Sequence, residues 1–207
     1  MTDVTRALAD LRGADAAAFG GKSSALGELI AAGIPVPPGF AVSTGAYRAF
    51  VDAAGLVRMI ETAMEQLAPD DVDSVGGTSH RISEAMRSAP VPDAVRDEVS
   101  RRYAELGEPP VAVRSSALGE DSQEATFAGQ QETYLWVRGA EHVCDAVRDC
   151  WVSLYSPPAI TYRARLGDAA GEPAMGVAVQ TMVDADSIEA YHLTLPRIEP
   201  GGVKQAR

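Results

Sequence analysis

Apolar side chains recur at helical spacing through most of residues 20–107. The predicted helices cover residues 22–32, 45–54 and much of 55–106. Within the last range, Gly76-Gly77 interrupts the segment 70–88 and makes its helical prediction ambiguous. We expect Thr44 to be the N-cap of the second helix and a short strand over residues 40–42 to precede it. Residues 1–19 show no sustained periodicity, which indicates an exposed lead-in with a short helical piece.

After residue 110 the apolar runs become short, as is typical of strands, and two amphipathic helices separate them. Strands are predicted over residues 111–114, 133–137 and 175–183. Helices are predicted over residues 143–154 and from Pro157 onward. Because helices come mainly first and strands later, the pattern predicts an α+β protein with an antiparallel or mixed sheet.

Composition narrows the choice of function. The 207-residue chain has a formal net charge of −11, with 46% hydrophobic and 23% charged residues, which is typical of a soluble folded domain. Nucleic acids and anionic membranes both require a basic surface, so neither is an expected partner. No apolar run approaches the roughly 18 residues that span a bilayer, and the first residues lack the apolar core of a signal peptide. We expect a cytoplasmic protein.

The cysteines and histidines do not indicate a metal site. Cys144 and Cys150 stand six positions apart, which is not a metal-ligand spacing, and we interpret them as buried apolar residues. The three histidines are scattered along the chain without partners at zinc spacing.

The first candidate for chemistry is Lys22, which follows a pair of glycines at the start of a predicted helix. A Walker A loop would need a further glycine at position 16, which is Ala16, so that motif is excluded. A glycine turn, a lysine and a helix N-terminus together still favour an anion, because free N–H groups and a positive charge converge there. The alternative is a plain helix start with a solvated lysine.

The second candidate is Arg114, which ends an otherwise apolar strand. A guanidinium there is costly to bury unless an anion or acid compensates it, and its planar fork suits two phosphate oxygens. The alternative is an ion pair with Glu120 or Asp121. Gly129 and Thr133 are either a plain turn and a strand residue or a backbone contact and a hydroxyl contact to a nucleotide.

Five segments carry a family resemblance. They are GGKSSALGEL (20–29), GIPVPPGFAVSTGAYRAF (33–50), VAVRSSALGEDSQEATFAGQQETYLWV (111–137), CWVSLYSPPAITYRARLG (150–167) and GVAVQTMVDAD (176–186). Together they resemble the nucleotide-binding domain of the phosphoenolpyruvate synthase and pyruvate phosphate dikinase family, which also contains the rifampin phosphotransferases. The third segment is long and is the most specific of the five.

This resemblance implies a partial ATP-grasp fold over residues 1–186, helix-rich over 20–107 and sheet-rich over 111–186. It further implies specific ligand contacts. The positions matching Lys22 and Arg114 contact phosphates, those matching Gly129 and Thr133 line the nucleotide, and the one matching Gln180 lies near adenine. For Gln180 the alternative is a polar residue on a solvent-facing side of its strand.

The resemblance also implies ATP and Mg²⁺ as ligands and a dikinase-type reaction. In that reaction the β-phosphate of ATP passes to a histidine on a mobile domain, releasing AMP and phosphate. The phosphohistidine then phosphorylates pyruvate or, in the rifampin phosphotransferases, an antibiotic hydroxyl. Pyruvate is the commoner acceptor in the family, so it is the first choice here. An inactive, truncated nucleotide-binding remnant is a third alternative.

The chain departs from the family pattern after residue 186, and residues 187–207 are expected to be a divergent tail. The magnesium ligands, the phosphohistidine domain and the acceptor domain are expected to lie outside this chain, a separately encoded partner being one alternative. We therefore expect the chain alone to have weak nucleotide affinity and little phosphotransferase activity. We also expect an exposed apolar sheet edge near residues 176–183, where missing strands would pair.

Overall fold

A computed structural model of the chain describes residues 3–117, 132–166 and 173–183. Its strands are β1 Thr5–Ala7, β2 Gly39–Val42, β3 Val111–Ala117, β4 Thr133–Val137 and β5 Met175–Thr181. Its α-helices are α1 Ala16–Phe19, α2 Gly21–Ala31, α3 Thr44–Ala53, α4 Val57–Glu65, α5 Val72–Ser88, α6 Asp93–Glu105, α7 Ala140–Val152 and α8 Pro157–Leu166. Short 3₁₀ turns lie at Leu8–Asp10, Gly13–Asp15 and Ser153–Tyr155.

The five strands form one sheet in the order β1-β2-β5-β3-β4, and every neighbouring pair is antiparallel. The predicted α+β class with an antiparallel sheet is therefore confirmed. Strands from the front of the chain, β1 and β2, join the same sheet as the three later strands.

The strands β2, β5 and β3 are covered on both faces of the sheet, and each face has its own apolar cluster. One face carries valines of β3 and β5, such as Val113 and Val179, which pack in the main core with side chains of α3 to α8. The opposite face carries Ala41 of β2, which packs in a smaller cluster with Leu8, Leu11 and Phe19. Helix α2 contributes Leu26 and Ile30 to that second cluster.

Strand β5 is the middle strand of the sheet, so the prediction of an exposed apolar edge near residues 176–183 is wrong. Gln180 of β5 is paired with Gly39 of β2 on one side and with Ala112 of β3 on the other. All of Met175 to Gln180 are buried. We expected strands outside this chain to pair with β5, but β2 occupies that position. Strands that are far apart in sequence can be neighbours in an antiparallel sheet.

The first residues are also more ordered and more buried than expected. Thr5 of β1 pairs with Val42 of β2, and Leu8 and Leu11 are fully buried. The Thr5 hydroxyl donates to a carboxylate oxygen of Glu98 on α6 at 2.6 Å. The expected exposed lead-in is thus an edge strand that is fixed to a helix, and its three residues are too few to show a strand period.

Two helix details differ from the sequence-based prediction. Ser43, not Thr44, is the N-cap of α3, because the Ser43 hydroxyl accepts from the Ala46 amide at 3.2 Å. Helix α5 continues without a break through Gly76 and Gly77, at which an added Cβ would meet open space. These glycines lie where the helix faces solvent, so they weaken it without interrupting its buried face.

The cysteines agree with their interpretation as apolar core residues. Cys144 and Cys150 are both free thiols and both buried. Burial raises the pKa of each thiol, and for Cys150 the nearby carboxylates of Asp149 and Glu132 raise it further. Both are thus held as neutral, unreactive thiols near neutral pH.

Glu98 gives a prediction for the pH dependence of stability. Hydrogen bonding from Arg101, with that from Thr5, lowers the pKa of Glu98 from 4.5 to about 2 in the folded protein. Its contribution is therefore fully present above about pH 4.5 and is lost as the pH falls toward 2. We expect Glu98→Gln to lower the free energy of unfolding at pH 7 by about 1 kcal/mol. The deficit should shrink below pH 4.5 in urea titrations.

Glu84→Gln is the matched control, because Glu84 is an exposed glutamate on α5. It should leave both the stability and its pH profile unchanged. Equal effects of the two substitutions would contradict a specific role for the Glu98 carboxylate in its contacts with Arg101 and Thr5.

Candidate functional site

A pocket of about 220 Å³ lies between α2 and the sheet. Lys22 and Arg114 both line it, together with Ala178 of β5 and the apolar residues Ala25, Leu26 and Leu29 of α2. The two cations that the sequence singled out are far apart in the chain, and the fold brings them to one pocket.

Lys22 faces this pocket because of helical spacing. It lies in the first turn of α2, and the other lining residues of that helix follow it by three, four and seven positions. The opposite side of the helix is buried through Ser23, Ser24 and Gly27. Lys22 is half-buried, and its Nζ donates to the Ser115 carbonyl of β3 at 3.5 Å. It is therefore not simply a solvated lysine at a helix start.

The register of the sheet determines which predicted residues share a face with Arg114. Arg114 is directly opposite Ala178 of β5 and Thr133 of β4, and antiparallel partners project to the same face. Gln180 is opposite Ala112, two residues from Arg114 on the same strand. Arg114, Thr133 and Gln180 thus belong to the sheet face on which α2 packs.

Thr133 and Gln180 share this face without lining the pocket. Thr133 is exposed near the outer edge of the sheet. Gln180 is 8% exposed, and its Nε2 donates to the Pro37 carbonyl at 3.2 Å, so it is not a polar residue on a solvent face. Gly129, the remaining predicted contact, lies outside the described residues.

The ion-pair alternative for Arg114 involves Glu120 and Asp121, which also lie outside the described residues. Within the described ranges, no carboxylate forms a salt bridge with Arg114. Arg114 itself is half-buried at the side of the pocket. A half-buried guanidinium of this kind requires an anionic partner, which is either a ligand or one of these two acids.

Sequence reasoning missed the contact that joins α2 to β3. Gly20 has φ +84°, and a Cβ added there would lie 2.0 Å from the Ser116 carbonyl oxygen. The glycine therefore lets the backbone at the start of α2 approach a strand. The available signal was Ser115-Ser116 in an otherwise apolar strand, since buried hydroxyls require hydrogen-bond partners.

Magnesium, which the family resemblance implies, finds no matching ligands in this part of the protein. Across residues 3–117, 132–166 and 173–183, no group of three or more histidine, cysteine, aspartate or glutamate side chains could hold a metal ion. In the same ranges, none of the helices combines the length and the apolar character needed to cross a membrane.

The geometry defines an α+β domain with a two-cation pocket between a helix N-terminus and a sheet. Comparison with known proteins identifies its family. Residues 16–203 match the family described as pyruvate phosphate dikinase, AMP/ATP-binding domain. The chain belongs to this family. The match continues beyond residue 186, and the boundary between the domain and a divergent tail stays a prediction.

Curated relatives give the same result. The chain is 41% identical over 179 residues to a probable phosphoenolpyruvate synthase of Staphylothermus marinus, covering 83% of this chain and 22% of the relative. It is 43% identical over 178 residues to the phosphoenolpyruvate synthase of Aeropyrum pernix, covering 81% of this chain and 21% of the relative. The chain thus spans about a fifth of the length of these relatives.

The close approach at Gly20 gives a second prediction. Gly20→Ala should destabilise the protein by about 2 kcal/mol or more, because the new methyl group would overlap the Ser116 backbone and the positive φ would be strained. Thermal and urea unfolding measure the loss.

Gly33→Ala separates strain from overlap. Gly33 also has a positive φ, +76°, but nothing lies within 4 Å of an added Cβ. It should cost only about 1 kcal/mol. If the two substitutions cost the same, the contact between Gly20 and β3 does not constrain the fold.

Proposed function

We propose that this chain is part of a phosphoenolpyruvate-synthase-like phosphotransferase and binds the phosphates of ATP. Lys22 and Arg114 are the cations that contact those phosphates. The observation that carries the proposal is that both side chains line the same pocket. Membership in the AMP/ATP-binding domain family supports the choice of nucleotide.

The two cations act on phosphate in different ways. The ammonium of Lys22 is a compact positive charge, whereas the guanidinium of Arg114 binds two oxygens side by side. The rest of the pocket is lined by the apolar residues Ala25, Leu26, Leu29 and Ala178. Apolar walls strengthen the attraction between fixed cations and an anion, because they exclude water that would screen it.

The size of the pocket limits what it holds. Pockets that enclose a whole drug-sized ligand measure roughly 300–1,000 Å³, whereas this one is about 220 Å³. We infer that it accommodates phosphate groups and that the nucleoside extends along the same sheet face. In this arrangement Thr133 lines the nucleotide and Gln180 lies on the adenine side, its amide oriented by Pro37. The family resemblance adds Gly129 as a further nucleotide contact.

For the whole protein we propose the dikinase sequence, in which ATP phosphorylates a histidine and the phosphohistidine phosphorylates pyruvate. The named relatives are all phosphoenolpyruvate synthases, which favours pyruvate as the acceptor. Because the chain spans about a fifth of their length, the histidine and acceptor sites belong to other parts of such a protein. Use of ATP by a metabolic enzyme fits the expected cytoplasmic location.

Nucleotide titration of the 207-residue chain, followed by amide chemical shifts in NMR, tests the proposal and detects even millimolar binding. ATP should shift resonances of the first turn of α2 and of β3 around Arg114. Lys22→Met and Arg114→Met should each weaken ATP binding at least about tenfold, since hydrogen bonds to charged groups contribute roughly 1.5–3 kcal/mol.

Arg58→Met is the control for loss of one positive charge, because Arg58 is exposed on α4 and does not line the pocket. It should leave ATP affinity unchanged. Unperturbed shifts at both cations, or three variants with equal affinity, would overturn the assignment of the phosphate site.

A further inference from the structure

Helix α2 begins without a side-chain cap of its own. Its N-cap residue is Gly20, and no side chain there accepts a hydrogen bond from the first turn. The first N–H groups of a helix have no partner within the helix and need an acceptor from elsewhere. Serine, threonine or aspartate usually supplies that acceptor at the N-cap.

The packing of α2 on β3 excludes such a residue at position 20. A Cβ on Gly20 would lie 2.0 Å from the Ser116 carbonyl oxygen and 2.2 Å from the Ser116 hydroxyl oxygen. Any side chain at the N-cap would therefore displace the strand. The strand that takes this space is placed to supply an acceptor itself.

Ser116 supplies it. Its Oγ accepts from the Ser23 amide at 3.2 Å, in a contact between residues 93 positions apart in sequence. Ser116 is fully buried, and Ser23 is the third residue of α2. The hydroxyl thus occupies the role of an N-cap side chain, provided by β3 instead of by the helix.

This contact joins the two elements that carry the cations, α2 with Lys22 and β3 with Arg114. Ser116 follows Arg114 by two positions on β3 and projects to the same face of the sheet. Ser23 directly follows Lys22, whose Nζ reaches the neighbouring Ser115 carbonyl. The hydrogen bond between Ser116 and α2 therefore lies between the backbone segments that carry Lys22 and Arg114.

We propose that Ser116 is a positioning residue for phosphate binding, which caps α2 from β3 and holds Lys22 at its place opposite Arg114. This inference rests on the proposed function, since it concerns the same pocket. A serine that only stabilises the fold would affect unfolding and leave the affinity for phosphate ligands unchanged.

Ser43 offers a matched control. Its hydroxyl also accepts from a first-turn amide at 3.2 Å, it is also fully buried, and it caps α3, which does not line the pocket. Ser116→Ala and Ser43→Ala should both lower the unfolding midpoint. Only Ser116→Ala should weaken binding of ATP and of tripolyphosphate, by about fivefold, as expected for loss of a helix cap. Equal affinities of the two variants would overturn the inference.

A double-mutant cycle separates this inference from the function on which it rests. If Ser116 acts through Lys22, Ser116→Ala should cause no further loss of ATP affinity in a Lys22→Met background, although its effect on stability should persist. A full fivefold loss in that background contradicts the positioning role and leaves the phosphate site intact. If Lys22→Met itself has no effect on ATP affinity, the phosphate site is wrong and the inference fails with it.

Discussion

The pairing of β5 on both of its sides is the constraint on which the rest of the structure depends. Its backbone bonds to β2 and β3, and its side chains are buried on both faces. Val177 and Val179 project into the main core, while Gly176 and Ala178 project toward α1 and α2. The main core depends on this strand for Val177 and Val179, and α1 and α2 pack on its opposite face.

The small residues of the second face have a direct effect on the site. Gly176 leaves no room for a side chain, because an added Cβ would lie 2.2 Å from the Phe19 carbonyl oxygen. Ala178 forms one wall of the pocket beside Arg114. Larger residues on this face would push α2 away from the sheet, and Lys22 would no longer share a pocket with Arg114.

Local pattern predicted most of the helices and the later strands, because amphipathic periodicity reports burial directly. It also identified Lys22 and Arg114, since a lysine at a helix start and an arginine ending an apolar strand are unusual placements. It could not show that β2 pairs with β5 or that the short β1 is a strand at all, because those depend on contacts between distant segments. The role of Ser116 was hidden for the same reason: its partner is 93 positions away.

The position of β5 has a consequence for how the protein is made. Gln180 contacts Pro37, which precedes it by 143 positions, so the centre of the sheet closes only when the last described strand has left the ribosome. Until then β2 and β3 each present an unpaired edge to the surrounding solution. Completion of the sheet thus depends on late, long-range contacts, which are slow to form and leave the nascent chain open to aggregation. A chaperone that shields those two edges during synthesis would act when the chain is most prone to aggregate.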